Sequence, residues 1–356
     1  MKEDKEGFFQ PVIDKKKCIK CHRCERVCPI LNPEKGDEGY ETQAYAAINK
    51  DESIRENSSS GGIFYAIAKW IIEQGGVVFG ARFDEKWEVV HGFTETLDGI
   101  VPFLGSKYVQ SRIGHSFQQA KFYLDGGRWV LFSGTPCHLG GLRAFLGKDY
   151  ERLIQVDLIC HGIPSPSVWR SYLNGLNNTR RITSVSFRDK KDGWIGNKIA
   201  IDVNHSPVIR EKHMENIFFR GFLKNVYLRE SCYHCPFRVV HRKSDLTLAD
   251  YWGVDKYCPD MFDNKGTSLV FSHSNKGDSI VSLLSSSVQF VRQDLDNSIE
   301  WNPSMNQECT RPASRDLFFR VFRLFGFYYA SLVIDEVSLG NRVRRKLRKI
   351  VNKVFH

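Results

Sequence analysis

No stretch of this 356-residue chain approaches the roughly 20 consecutive apolar residues that a bilayer-crossing helix needs. Its first residues, Met1-Lys2-Glu3-Asp4-Lys5-Glu6, are charged and have no apolar segment behind them, which excludes a secretory leader. Low-complexity tracts and long-period repeats are absent, so solenoid and fibrous architectures are excluded. The turn at Ser58-Ser59-Ser60-Gly61-Gly62 is not the G-x-G-x-x-G fingerprint, so a standard dinucleotide-binding turn is not indicated. Acidic residues are missing from positions 341–356, where seven Lys and Arg account for most of the net charge of +10. The rest of the chain is close to neutral, which argues against a nucleic-acid partner. What these absences leave is a cytoplasmic globular protein, 42% apolar and 26% charged. It is long enough for one large core, or for two domains with a small appendage.

Ten cysteines are present, and a reducing cytosol makes them thiols or metal ligands rather than a disulfide framework. Four form Cys18-x2-Cys21-x2-Cys24-x3-Cys28-Pro29. A tight loop with this spacing wraps three thiolates around one cubane iron–sulfur cluster. Zinc more often takes two separated cysteine pairs. In two-cluster ferredoxins the fourth cysteine of each run serves the other cube. One run therefore leaves the cube of Cys18, Cys21 and Cys24 short of a thiolate, which Cys258 or Cys309 could supply.

Two strand–cysteine–helix units follow. Residues 128–132 read as a strand ending in Ser133-Gly134-Thr135-Pro136-Cys137, with a helix over 138–145. Residues 153–159 read as a strand ending at Cys160, with a helix over 167–175. Repeated units of this kind favour a parallel sheet with ligand sites beyond the strands' carboxyl ends, so Cys137 and Cys160 should share one edge. With Cys232 and Cys235 they make four further thiols, a set for a second cubane or a zinc ion. Two other readings stand beside it: a nucleophile paired with a base at Cys137-His138 or Cys160-His161, and inert buried thiols. The segment Ser58–Gly62 opens a helix predicted over 63–73, whose bare N–H groups suit a phosphate; the alternative is an ordinary serine cap. Further strands are predicted over 43–49, 76–83, 182–188, 198–203, 245–250, 267–272 and 287–292, with a helix near 211–228 and helical structure from Ser314 onward.

The combination of Ser59-Ser60-Gly61-Gly62, Gly105-Ser106-Lys107-Tyr108-Val109-Gln110-Ser111, Ser133-Gly134-Thr135-Pro136-Cys137, Asp157-Leu158-Ile159-Cys160-His161-Gly162, Ser231-Cys232-Tyr233-His234-Cys235 and Asp250-Tyr251-Trp252-Gly253 resembles the coenzyme F-420 hydrogenase/dehydrogenase beta-subunit family over about residues 7–295. The resemblance implies FAD in the body with a 4Fe-4S cluster beside it. Ser59, Ser60, Gly61, Gly62, Gly105, Ser106, Lys107, Tyr108, Gln110 and Ser111 would line the flavin. Cys137, Cys160, Cys232 and Cys235 would hold the body cluster, and Cys18, Cys21, Cys24 and Cys28 the N-terminal one. It also implies a first cysteine run that is missing here, so that the chain begins inside the ferredoxin module.

The expected fold is α/β (α+β overall). A partial 4Fe-4S ferredoxin-like module (1–39) is followed by a mixed-sheet body, divided into a flavin-side domain (40–125) and a domain of cluster ligands (126–300), and then a basic helical tail (301–356). The expected activity is an iron–sulfur flavoprotein oxidoreductase moving electrons between 4Fe-4S clusters, FAD and an organic or deazaflavin substrate, with surface-polysaccharide metabolism as a further context. The alternatives are an electron-transfer subunit without its own substrate and a zinc-stabilised module with no redox role. Partners would be ferredoxin or another oxidoreductase subunit and a small-molecule substrate. Residues 341–356 place Val343, Leu347, Ile350, Val351 and Val354 on one helical face and cations on the rest, a pattern suited to the inner face of an anionic membrane, to an acidic partner, or to packing on the body.

Overall fold

The computed structural model describes residues 1–33, 39–176 and 181–334. The basic segment 341–356 lies outside them. Two short strands, β1 (Lys2–Glu3) and β2 (Phe9–Gln10), pair antiparallel, and α1 (Arg23–Arg26) sits within the Cys18–Cys28 run. Next come β3 (Gln43–Asn49), α2 (Glu52–Asn57), α3 (Ile63–Glu73), β4 (Val77–Phe83) and β5 (Val89–Thr94). Helix α4 (Ser116–Asp125) precedes the two predicted units, β6 (Val130–Ser133) with α5 (Pro136–Leu146) and β7 (Leu153–Leu158) with α6 (Pro166–Leu176). A three-stranded sheet, β8 (Ile182–Asp189), β9 (Lys198–Val203) and β10 (Ser206–Lys212), precedes α7 (Ile217–Leu223). The remaining elements are β11 (Leu246–Asp250), α8 (Val254–Tyr257), β12 (Ser268–Ser272), α9 (Asn275–Leu283), β13 (Val288–Gln293), α10 (Leu295–Glu300) and α11 (Ser314–Ser331).

Eight strands form one mixed sheet in the order β13-β3-β12-β11-β7-β6-β4-β5. Neighbours β4, β6, β7 and β11 run parallel, while β12 is antiparallel to both β11 and β3. Strand β3 therefore points the same way as β11, and five strands end at one edge. Their side chains show why these strands are central: Val77, Val78, Phe79, Val130, Leu131 and Phe132 are all buried, so both faces are covered and the run is continuously apolar. Helix α3 lays Ile63, Ile67 and Ile71 on one face of the sheet, and Ala120 and Leu124 of α4 with Leu139 and Leu142 of α5 cover the other. A separate aromatic core joins the three-stranded sheet to α6, α7 and α11 through Trp169, Phe187, Phe218, Phe222 and Phe318.

The predicted helix near 211–228 is shorter and later than its pattern suggested. Asn204 and His205 both take positive φ (50° and 62°), a tight turn that folds Ser206–Lys212 back onto β9 as a hairpin. The helix starts only at Asn216, whose side chain accepts the Phe219 N–H. Strand β5 was not anticipated; it pairs antiparallel with β4 and supplies His91 to the site described below. Among the described residues no helix is long and apolar enough to cross a membrane.

Gly61 is a demanding position. A Cβ there would lie 2.3 Å from the Ala47 carbonyl oxygen and 2.8 Å from the Ser268 nitrogen, with backbone on both sides. Gly61→Ala should therefore push β3 and β12 apart and lower Tm by several degrees in a thermal melt; an unchanged Tm would disprove the close approach.

Candidate functional site

The shared carboxyl edge carries two adjoining groups of side chains. The first contains thiols. After β6, Thr135 stands at the N-terminal boundary of α5 and Pro136 opens it, which places Cys137 in the first turn. Cys160 follows the end of the neighbouring strand β7, as the repeated units predicted. Cys232 closes a short 3₁₀ turn over Glu230–Cys232, and Cys235 lies one turn further on. These segments bring all four sulfurs within electrostatic reach of one another. Burial pushes the Cys160 thiol up to about 12, with Cys137 and Cys235 adding to it. Burial, then Cys160, Cys137 and Cys235, raises Cys232 further. Burial raises Cys137, against a hydrogen bond from Thr135 at 3.1 Å. Four clustered thiols with so little other bonding form a soft donor set that a metal would deprotonate.

Among the described residues no three His, Cys, Asp or Glu side chains are placed to share a single ion. Two cations frame the group. Arg238 donates to the His161 carbonyl at 2.6 Å and to the Gln307 carbonyl, and Arg229 donates to Gln10 Oε1 at 2.8 Å. His138 Nδ1 is buried with no hydrogen-bond partner, and burial holds its ring well below the usual histidine range, so it is neutral.

The two unassigned cysteines part company. Cys309 donates to the Cys232 carbonyl at 3.3 Å and so belongs to the body group, not to the N-terminal loop. Cys258 is buried in a different core beside Tyr251 and Met261. In the N-terminal run, Cys18, Cys21 and Cys24 are exposed and Cys28 is half-buried. Lys20 and His22, on either side of Cys21, take positive φ (55° and 56°), which coils the loop. Its far end rests on the body: a Cβ on Gly140 of α5 would lie 3.3 Å from Pro29, so Cys28-Pro29 is seated about one helical turn from Cys137.

The second group lies where β3, β11 and β12 meet the same edge. Gly62 (φ 81°) opens α3 without any side-chain cap, so the serine-cap alternative does not hold at this helix start. The Gly61 N–H donates to Ser268 Oγ at 2.9 Å, and Asn49 N–H donates to the Gly61 carbonyl at 2.7 Å. Ser59 Oγ accepts the Ser106 N–H at 2.7 Å and meets Ser106 Oγ at 2.9 Å, while Ser60 donates to the Thr267 carbonyl at 2.8 Å. Thus the two predicted segments, 59–62 and 105–108, touch. Gly105 (φ 79°) has open space where a Cβ would stand. Lys107 donates only to carbonyls, of Pro102 at 3.0 Å and Leu104 at 2.8 Å, and burial pulls it down to about 7. Gln110 and Ser111 are turned elsewhere. Gln110 pairs with the backbone of Phe9 in both directions, accepting at 2.9 Å and donating at 3.3 Å. Ser111 meets His91 Nδ1 at 2.7 Å, and His91 Nε2 donates to the Ser133 carbonyl at 3.1 Å. Burial holds His91 at about 4, so it is neutral.

Sequence reasoning missed three residues here and gave Asp250 no role. Arg188, at the end of β8, makes a buried two-pronged ion pair with Asp250 at 2.6 and 3.1 Å, which holds the arginine charged. It also donates to Tyr108 Oη at 3.3 Å and lies 5.4 Å from the Trp252 ring centre; its Nε has no partner. Trp194 donates to Asp250 at 3.0 Å and stacks on Trp252 at 4.8 Å. Lys190 donates to the carbonyls of Arg55, Ser60 and Lys265, and burial followed by repulsion from Arg55 and Arg188 lowers it to about 8. The available signal was the density of charge and tryptophan in Arg188-Asp189-Lys190-Lys191-Asp192-Gly193-Trp194.

A cysteine run in ferredoxin spacing and a thiol group at a mixed-sheet edge define an iron–sulfur redox protein of α/β architecture. The family resemblance follows: residues 127–297 match the model for the C terminus of the coenzyme F420 hydrogenase/dehydrogenase beta subunit. Residues 11–31 match the model described as 4Fe-4S binding domain. Among solved structures, the chain resembles a chain of the F420-reducing [NiFe] hydrogenase complex from Methanosarcina barkeri, at 15% identity and a TM-score of 0.48, covering 85% of this chain and 95% of that one. No curated protein matches.

Proposed function

We propose that this chain is an FAD- and 4Fe-4S-dependent oxidoreductase. In it Cys137, Cys160, Cys232 and Cys235 would ligate one cubane, and the adjoining residues Ser59, Ser60, Gly61, Gly62, Gly105, Ser106, Lys107 and Tyr108 would hold the flavin. The observation that carries this reading is the convergence of four thiols from three chain segments at the sheet edge, beside a cradle with an open glycine and buried cations. Gln110 and Ser111 act one layer back: the first ties down the N-terminal strand and the second orients His91. Clusters and flavin together supply conversion between single electrons and a hydride. The protein's own part is to hold and to shield. Lys107, Lys190 and Arg188 place positive charge where phosphate or a reduced ring would bring negative charge, and the Trp194–Trp252 stack excludes water from the Arg188–Asp250 pair. The hydride partner in this reading is an organic or deazaflavin substrate.

Anaerobic purification tests this directly. Iron and sulfide near four each per cube, broad visible absorption and FAD released on denaturation are expected. Colourless protein with stoichiometric zinc would overturn the reading. Protein with clusters but no flavin, active only in a complex, would make the chain an electron-transfer subunit.

Lys107 gives a pH test. Its folded value, about 7, lies below its free value of 10.5, so the unfolded chain holds the extra proton between these limits. Stability owed to this residue therefore rises with pH across that window, and the penalty is complete below it. Lys107→Met apoprotein should melt above wild type below pH 7, with the gain vanishing near pH 10.5. The same substitution should weaken FAD retention. A pH-independent gain would show that the ammonium is not desolvated.

A further inference from the structure

We propose that Arg238 sets the reduction potential of the body cluster, raising it by holding an unneutralised guanidinium between the chain segments that carry Cys160, Cys235 and Cys309. This rests on the cluster reading proposed above.

Three observations converge. The first is place. The Arg238 N–H donates to the Cys235 carbonyl at 3.3 Å, so the residue is tied to the turn of that thiol. Its guanidinium donates to the carbonyl of His161, next to Cys160, at 2.6 Å, and to the carbonyl of Gln307, close to Cys309 in the chain. One planar fork thus spans three cysteine-bearing segments. The second is charge. The buried arginines Arg55, Arg188, Arg242 and Arg315 each meet a carboxylate, of Asp263, Asp250, Asp157 and Glu6 in turn. Half-buried Arg238 meets only carbonyls, and among the described residues no acid pairs with it. The acids beside these segments are engaged elsewhere, Glu308 by His234 at 3.3 Å and Glu230 by Arg311 at 2.9 Å. The third is an unmet donor: Arg238 Nε is buried without a partner. Arg55 and Arg188 also leave Nε bare, but their charge is neutralised; Arg238 keeps both a bare N–H and a free charge. The thiols feel that charge. Burial raises Cys160, with Cys137 and Cys235 adding to it, and Arg238 works against all three.

A cube held by four thiolates is an anion, and each electron it accepts makes it more negative. An uncompensated cation in a water-poor site favours the more negative state, and so does an N–H donated to sulfur. Both raise the potential. A carboxylate on the same guanidinium would cancel most of the effect. Lysine at this position would keep a point charge but lose the planar hold and the Nε–H.

An EPR-monitored redox titration of the anaerobically purified full chain tests this. In Arg238→Gln the reduction equilibrium of one cluster should shift about tenfold toward the oxidised form, which is about 59 mV for a one-electron couple. The cluster that shifts should be the one whose iron is lost in Cys160→Ser, and iron and sulfide should match wild type. Arg238→Lys should shift the same cluster about threefold, because it retains the charge alone. An iron-loaded Arg238→Gln protein with the wild-type potential overturns the proposal, as does a shift confined to the other cluster. Where Arg238→Gln sheds its iron, Arg238→Lys decides: the threefold shift upholds the role of charge, while a wild-type potential or equal loss of iron makes Arg238 a carbonyl clamp and overturns it. A wild-type chain without iron overturns the cluster reading itself, a separate result from an unmoved potential.

Discussion

Cys160→Ser protein, purified without oxygen, should contain about four fewer iron and four fewer sulfide per chain than wild type, because a cubane with one ligand lost from a buried four-thiol site is not retained. The effect should be confined to one cluster. Iron held by Cys18, Cys21, Cys24 and Cys28 should remain, since those cysteines lie on a separate loop whose Pro29 rests on Gly140 of the body. Two other cysteines serve as controls. Cys258 packs in a core with Tyr251 and Met261, so Cys258→Ser should keep its full iron while losing some thermal stability. Cys309 borders the four with its thiol spent on the Cys232 carbonyl, so Cys309→Ser should also keep its iron. Iron and sulfide assays with low-temperature EPR of the reduced protein read all three. Equal iron in Cys160→Ser and wild type would refute the ligand set.

The second large effect concerns Asp250. Among the described residues its carboxylate is the acidic partner of the Arg188 guanidinium, which is buried and carries one nitrogen without any partner. Removing the acid leaves a desolvated charge, and breaking a buried pair in this way costs about 3–5 kcal/mol. Asp250→Ala should therefore lower Tm by roughly 10 °C at a fixed scan rate. It should also lose FAD, because Arg188 bonds Tyr108 of the cradle. The double variant Arg188→Met/Asp250→Ala should recover part of the lost stability, since no stranded charge remains. Additive losses in the double variant would show that the pair is not coupled.

Much of this arrangement was legible in one dimension. The run Cys18 to Cys28 carries its chemistry in its spacing, because a cubane imposes short, fixed steps between ligands on a single loop. The parallel units around Cys137 and Cys160 were readable because a buried strand, a cysteine turn and a helix repeat at close range, and chirality leaves few ways to connect them. Predicted helix 63–73 and strand 43–49 match the observed α3 and β3 at both ends. The hairpin at Asn204-His205 was missed because nothing in its composition forces positive φ as glycine would. Gln110 and Ser111 look like their neighbours in sequence; only the approach of Phe9 and His91, distant in the chain, assigns them a bracing role.

By itself the sequence determined that this is an iron–sulfur redox chain with a mixed α/β body, because ligand spacing and strand periodicity are local properties. Only the tertiary structure decided which side chains share a site. It put Cys309 with the body thiols and Cys258 away from them, seated Pro29 on α5, and drew Arg188 and Lys190 from the smaller sheet to the cradle. The physical reason is that burial pairs charges and covers backbone wherever distant segments meet, and those meetings depend on the order of strands in the sheet rather than on spacing along the chain.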